Sequence, residues 1–217
     1  MFSNRLLLTV LGGEAVLALL AFLWIRIRNL PFETGSPVSG LILGMVAAGA
    51  FGLINLYLLR GAPALAAVQS IRRLYYEVLR PLFVRLGPFE VILIGLAAGF
   101  GEELLFRGAI QQELGIVPAS LLFGAAHVDR SENLMFGCWA AIFGLILGWL
   151  AIVTGGLLAP VVAHAVYDTA ALTYIRLTAA ERIIPFALID EQLFELDFHK
   201  LWTSAVATKK TRRWESA

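Results

Sequence analysis

Charge is scarce in this chain. Its 217 residues hold 17 Lys and Arg and 16 Asp and Glu, 15% together, against 59% hydrophobic residues. Soluble domains carry about 25% charged and about 45–50% apolar residues, so this composition excludes an ordinary soluble domain and points to a bilayer. The single cysteine, Cys138, excludes an intramolecular disulfide and a cysteine-based metal cluster. It lies in an apolar run and reads as a small packing residue. No basic run interleaved with aromatic residues occurs, so nucleic acid is not an expected partner. No H-E-x-x-H sequence is present, which removes the zinc-protease helix of that type. No internal repeat is visible, which removes the signature of a transporter built from inverted halves.

What the chain does have is apolar runs. A membrane-spanning helix needs about 20 such residues. Leu6–Ile25, Val38–Leu59, Phe89–Gln112, Leu134–Val153 and Leu157–Leu177 meet that length, and Pro118–Val128 is a shorter run, with Pro118 suited to a helix start. The first run is too long for a signal h-region and lacks a clear small-residue cleavage site, so it reads as a retained span. Ala62–Leu86 reads as an amphipathic helix lying in the interface.

The expectation is an all-α, polytopic transmembrane helical bundle of about six membrane segments around a buried polar site. Residues 1–217 form one integral membrane domain in this reading. Two accessory spans occupy 1–60, a core with the intramembrane ionisable residues 85–177 and a cytoplasmic tail 178–217. Arginines 60, 72, 73, 80 and 85 cluster in one connecting segment, against Arg26 and Arg28 in the preceding one. The positive-inside rule then places both termini on the cytoplasmic side of a cell membrane. The Asp129–Asn133 loop falls on that side, which suggests that the site opens there.

Ionisable side chains at membrane depth are costly and face a bundle interior or a wet cavity. Glu102, Glu103 and Arg107 lie within one apolar run, and His127, His164 and Asp168 lie in later ones. Glu103 and Arg107 are four apart and share a helix face, so they can pair. Glu102 points about 100° away and is left for chemistry. Phe123 stands four residues before His127 and can wall off its imidazole. Asp168 stands four residues after His164 and can fix which ring nitrogen faces the site. Glu14, in the first span, can contact the cavity, but an interhelical hydrogen bond or a place near the interface is the favoured reading.

The ordered motifs Glu102-Glu103-x-x-x-Arg107, Phe123-x-x-x-His127 and His164-x-x-x-Asp168 resemble those of the CPBP family. This is the CAAX protease and bacteriocin-processing family of intramembrane endopeptidases, which includes CAAX prenyl protease 2 and lysostaphin-resistance-protein-A-like members. The resemblance spans Phe89 to Thr173. It implies a catalytic group of Glu102, Glu103, His127, His164 and Asp168 supported by Arg107 and Phe123. Glu102 would activate water with His127 as its partner, and His164 with Asp168 would complete the site. The last motif of the family often ends in Asn. Asp168 can orient His164, but it donates to an oxyanion only when protonated. The implied substrate is a membrane-associated peptide or protein, including CAAX-type prenylated ones, and the bilayer is the other partner.

Two chemistries stay open: a metal-independent glutamate protease, or a metalloendopeptidase whose zinc takes Glu102, His127 and His164 as ligands. The rival functions are a non-catalytic binding or immunity protein on the same fold and, less favoured, a transporter or proton relay.

Overall fold

In the computed structural model, residues 2–128 and 130–178 are described. The basic cluster Lys209–Arg213, His199, Asp129 and the tail from 179 onward, expected to be cytoplasmic, lie outside them.

Apolar composition and terminator residues set the element boundaries. Helix α1 runs Phe2–Arg28 and α2 runs Pro37–Arg60. Pro37 occupies the first turn of α2, where its missing N–H costs nothing. Helix α3 spans Ala66–Phe83, and α4 spans Pro88–Leu114 after a 118° bend. Pro88 opens α4, and the Glu90 carboxylate accepts the Gly87 N–H, tying down a free donor of the first turn. A single residue, Gly115 at φ +85°, separates α4 from α5, Ile116–Ala126. Pro118 therefore falls in the third position of α5 rather than at its start. Helix α6 is Leu134–Thr154 and α7 is Leu158–Leu177. Among the described residues no multi-residue strand occurs, and the structure is an all-α bundle.

Wide, π-helical turns interrupt α3 at Leu74–Leu79 and α4 at Leu104–Ile110. The second begins directly after Glu103 and carries Arg107. Such turns recur at functional sites because they re-aim side chains at the cost of regular backbone bonding.

Each of the expected apolar runs forms a helix, and the Ala62–Leu86 segment forms α3. The number that can cross a membrane by length and apolarity is smaller. Helices α1, α2 and α6 qualify, with a fourth span if the bent α3–α4 pair is counted together. The remaining shortfall has two causes. Helix α7 carries His164, Asp168 and Arg176, and α5 has 11 residues, about 16 Å of helix and half of a hydrocarbon core.

Helix α7 packs against both α2 and α4, α5 packs along α6, and α1 lies against α4. The central core joins Phe51, Phe106, Phe123, Phe143, Leu147 and Ala163 around the polar residues. One end of the bundle is clasped by backbone. Leu157 and Leu158 donate to the carbonyls of Glu33 and Thr34, and Ser36 donates to Thr154. Gly35 holds φ +78° there, and a Cβ on it would come within 2.6 Å of the Thr154 carbonyl oxygen, so glycine suits both the conformation and the space.

Candidate active site

The site is built on α4, α5 and α7 and is braced by α6. Glu103 is fully buried, and its Oε1 accepts two hydrogen bonds of 2.7 Å, from Arg107 Nη1 and from His164 Nδ1. A buried carboxylate is tolerated when charge and hydrogen bonds both meet it. Arg107 satisfies a second donor on the Gly144 carbonyl at 3.0 Å, and Gln111, one turn on, donates to the Gly148 carbonyl at 3.0 Å. These two rungs tie α4 to α6. They need glycine on α6, because a Cβ at 144 would stand 3.1 Å from Arg107 Nη2, and one at 148 would meet Gln111 Oε1. The Arg107 guanidinium also lies 4.5 Å from the Phe123 ring centroid, a cation–π contact.

His127 closes the C-terminal end of α5. Its Nδ1 donates to the Phe123 carbonyl at 2.8 Å, because a carbonyl can only accept, and Nε2 is thereby turned toward the site. The Phe123 ring packs 4.6 Å from the His127 ring and 5.9 Å from that of His164, and Phe143 lies 5.4 Å from His164 on another side. Aromatic rings thus wall both imidazoles.

Glu102 sits between them. Its Oε2 is buried without a hydrogen-bond partner, 4.0 Å from His127 Nε2 and 3.9 Å from His164 Nε2. Asp168 Oδ2 lies 3.5 Å from the same His164 nitrogen. All the residues singled out in the three motifs are therefore brought together. One relationship differs from the reading of the i,i+4 spacing. The side chain that grips His164 through Nδ1 is Glu103, from another helix, while Asp168 borders the nitrogen that faces the site. Phe143 and Gly144 also belong to this centre, and nothing in the apolar α6 run distinguished them.

Glu102, His127 and His164 offer donor types that zinc accepts, but their arrangement does not form a ligand set. Separations of 3.9–4.0 Å exceed the roughly 3.4 Å between two ligands of a tetrahedral zinc with bonds near 2.0–2.1 Å. Among the described residues no group of three His, Cys, Asp or Glu side chains is placed to hold a metal ion.

A cavity of about 690 Å³ leads from these residues between α2, α3, α6 and α7. Glu102, His127, His164 and Asp168 line its polar end. Leu53, Leu56, Leu74, Phe83 and Ile175 line the apolar remainder.

Comparison with known proteins follows the same residues. Residues 85–170 match the family described as type II CAAX prenyl endopeptidase Rce1-like. "Uncharacterized protein YpbD" of Bacillus subtilis (strain 168) is 32% identical over 93 residues, 43% of this chain and 49% of that protein. An "Uncharacterized 24.3 kDa protein" of Escherichia coli is 31% identical over 140 residues, 60% of this chain and 62% of that protein. The chain spans between about half and three-fifths of the length of these relatives. No solved structure matches.

Proposed function

From a membrane protein whose residues 85–170 are Rce1-like, we propose an intramembrane endopeptidase that hydrolyses a peptide bond of a membrane-associated protein or peptide with a glutamate-activated water. The observation that carries this reading is the unpartnered Glu102 Oε2, buried 3.9–4.0 Å from two imidazole nitrogens. Those distances are too long for direct hydrogen bonds, so this carboxylate is committed to neither imidazole, and its side chain keeps some exposure to the cavity.

In the proposed reaction, Glu102 accepts a proton from water while the water oxygen attacks the scissile carbonyl carbon, with His127 Nε2 orienting the water. The carbonyl π electrons move to oxygen, and the oxyanion forms beside His164. Held by Glu103 through Nδ1, the imidazolium form of His164 presents its Nε2–H to that charge. Collapse of the intermediate breaks the C–N bond. The leaving amine takes the proton from Glu102, which restores the carboxylate. Asp168 stabilises the imidazolium, and Arg107 holds Glu103. Every proton in this scheme has a carrier among the chain's own residues, so we propose metal-independent chemistry.

The apolar part of the cavity favours a lipid-bearing substrate, with a CAAX-type prenylated chain as the finer proposal. The clasp at the Gly35–Gly156 end supports access from the opposite end, beside α3, which we propose, from the arginine distribution, is the cytoplasmic one.

The test is cleavage of a panel of membrane-anchored peptides, prenylated and unprenylated, by purified protein in liposomes. Wild type should cleave, and Glu102→Gln and His127→Ala should not. A folded Glu102→Gln protein with full activity would sink the proposal. Failure of wild type on every peptide would shift the weight to a binding or immunity role.

A further inference from the structure

Helices α1 and α4 and the link after α1 form a second groove, apart from the cavity of the candidate site. Its volume is about 420 Å³, the size of a small-ligand pocket. The local sequence builds it. Asn29 ends α1 in the left-handed conformation, φ 51°, and the Leu30 N–H donates back to the Ile25 carbonyl at 3.0 Å. Such a helix stop brings the residue after it back over the last turn, and Leu30 packs in one apolar cluster with Ile25 and Leu104. Phe22, Phe32 and Phe100 line the same groove and are exposed. Its polar lining is Arg26 and Asn29, and among the described residues no acidic side chain borders it.

Arg26 and Arg28 are the arginines that the charge distribution leaves on the less basic side. Basic residues in a last helical turn offset the helix dipole, which accounts for arginine at both positions. Their side chains differ in what they meet. Arg28 Nε donates to Glu113 Oε1. Arg26 has no hydrogen bond or ion pair among the described residues. The span Arg5–Arg28 has 24 residues. That is roughly 36 Å of helix against a hydrocarbon core of about 30 Å, so Arg26, in its last turn, falls at headgroup depth.

We propose that this groove binds an anionic phospholipid, whose phosphate pairs with the Arg26 guanidinium while an acyl chain lies against Phe22, Phe100 and Leu104. The planar guanidinium fork matches phosphate oxygens. A zwitterionic headgroup would bring a cation that no acidic side chain in the groove meets, so a net negative headgroup is the fitting occupant. The site goes beyond the protease reading and does not depend on it.

The experiment is native mass spectrometry of the full chain in detergent, titrated with dipalmitoyl phosphatidylglycerol or dipalmitoyl phosphatidylcholine. Wild type should bind a first phosphatidylglycerol more tightly than the phosphatidylcholine. Arg26→Gln should weaken that first binding about tenfold, the worth of one charge-assisted contact. Arg28→Gln, which removes the same charge outside the groove, should stay near wild type. Arg26→Met, which keeps the apolar stem, serves if the Gln variant does not fold. Inorganic phosphate should not displace the lipid, because the acyl chain carries part of the binding. Equal affinities of wild type and Arg26→Gln would overturn the inference. So would an equal loss in Arg28→Gln, the mark of general surface attraction, or displacement by phosphate alone. No cleavage is measured, so the outcome stands whether or not the protease reading holds.

Discussion

Glu103 and His164 are joined by a 2.7 Å hydrogen bond between two helices, 61 residues apart in the chain. The same carboxylate oxygen accepts from Arg107. One side chain therefore fixes both the spacing of α4 and α7 and the face that His164 turns to the cavity. The adjacent glutamates sit in different surroundings, Glu103 Oε1 accepting two hydrogen bonds and Glu102 Oε2 none, which gives the first prediction. Glu102→Gln should fold with near wild-type stability and lose about 10²–10⁴-fold in kcat, the usual worth of a positioned base. Glu103→Gln should cost about 3–5 kcal/mol of stability as well as activity, because it leaves Arg107 buried without its counter-charge. Denaturant unfolding and turnover of the two variants side by side check this.

Phe123 is 1% exposed and is wedged between the Arg107 guanidinium and both imidazoles. Phe123→Ala should destabilise by about 3–5 kcal/mol, the usual cost of deleting a buried ring. It should also lower kcat by freeing His127. Unfolding curves and turnover numbers provide the comparison, and Phe123→Leu should recover more of the stability than of the rate.

Helix α4 meets α7 at Gly99, where a Cβ would lie 2.7 Å from the backbone nitrogen of Ala165, next to His164. Gly99→Ala should force the helices apart, cost about 1–3 kcal/mol and lengthen the Glu103–His164 contact, with loss of activity. Gly12→Ala is the control. Nothing lies within 4 Å of its added methyl group, and alanine is the better helix former. Its activity should equal wild type.

Metal-independent chemistry predicts that prolonged chelation leaves cleavage intact and that added zinc neither stimulates wild type nor restores Glu102→Gln. Activity abolished by the chelator and restored by zinc would instead require Glu102, His127 and His164 to close into a ligand set tighter than their present 3.9–4.0 Å separations.

Much of this centre was readable because membranes penalise charge. Glu102, Glu103, Arg107, His127, His164 and Asp168 stood out as ionisable residues in apolar runs, and the i,i+4 spacing correctly paired Glu103 with Arg107. Spacing sees only one helix at a time. It could link His164 to Asp168 but could not find Glu103, which arrives from another helix. Gly144 and Phe143 were invisible for a related reason. One contributes a backbone carbonyl and the other an apolar ring, and neither differs in composition from the lipid-facing residues around it. The length of the helices was legible, but the number that cross was less so, because the polar residues needed for a site make α7 less apolar than a plain membrane anchor.

The backbone clasp at residues 33–36 also bears on where this protein can be divided. The N–H groups of Leu157 and Leu158, at the start of α7, find their acceptors on Glu33 and Thr34. Those acceptors lie outside the Rce1-like segment, as does Glu14. A fragment restricted to residues 85–170 would leave such donors open at the start of the helix that presents His164. The matched segment thus holds all three motifs, while the backbone acceptors that close the start of its last helix come from the link between the first two helices.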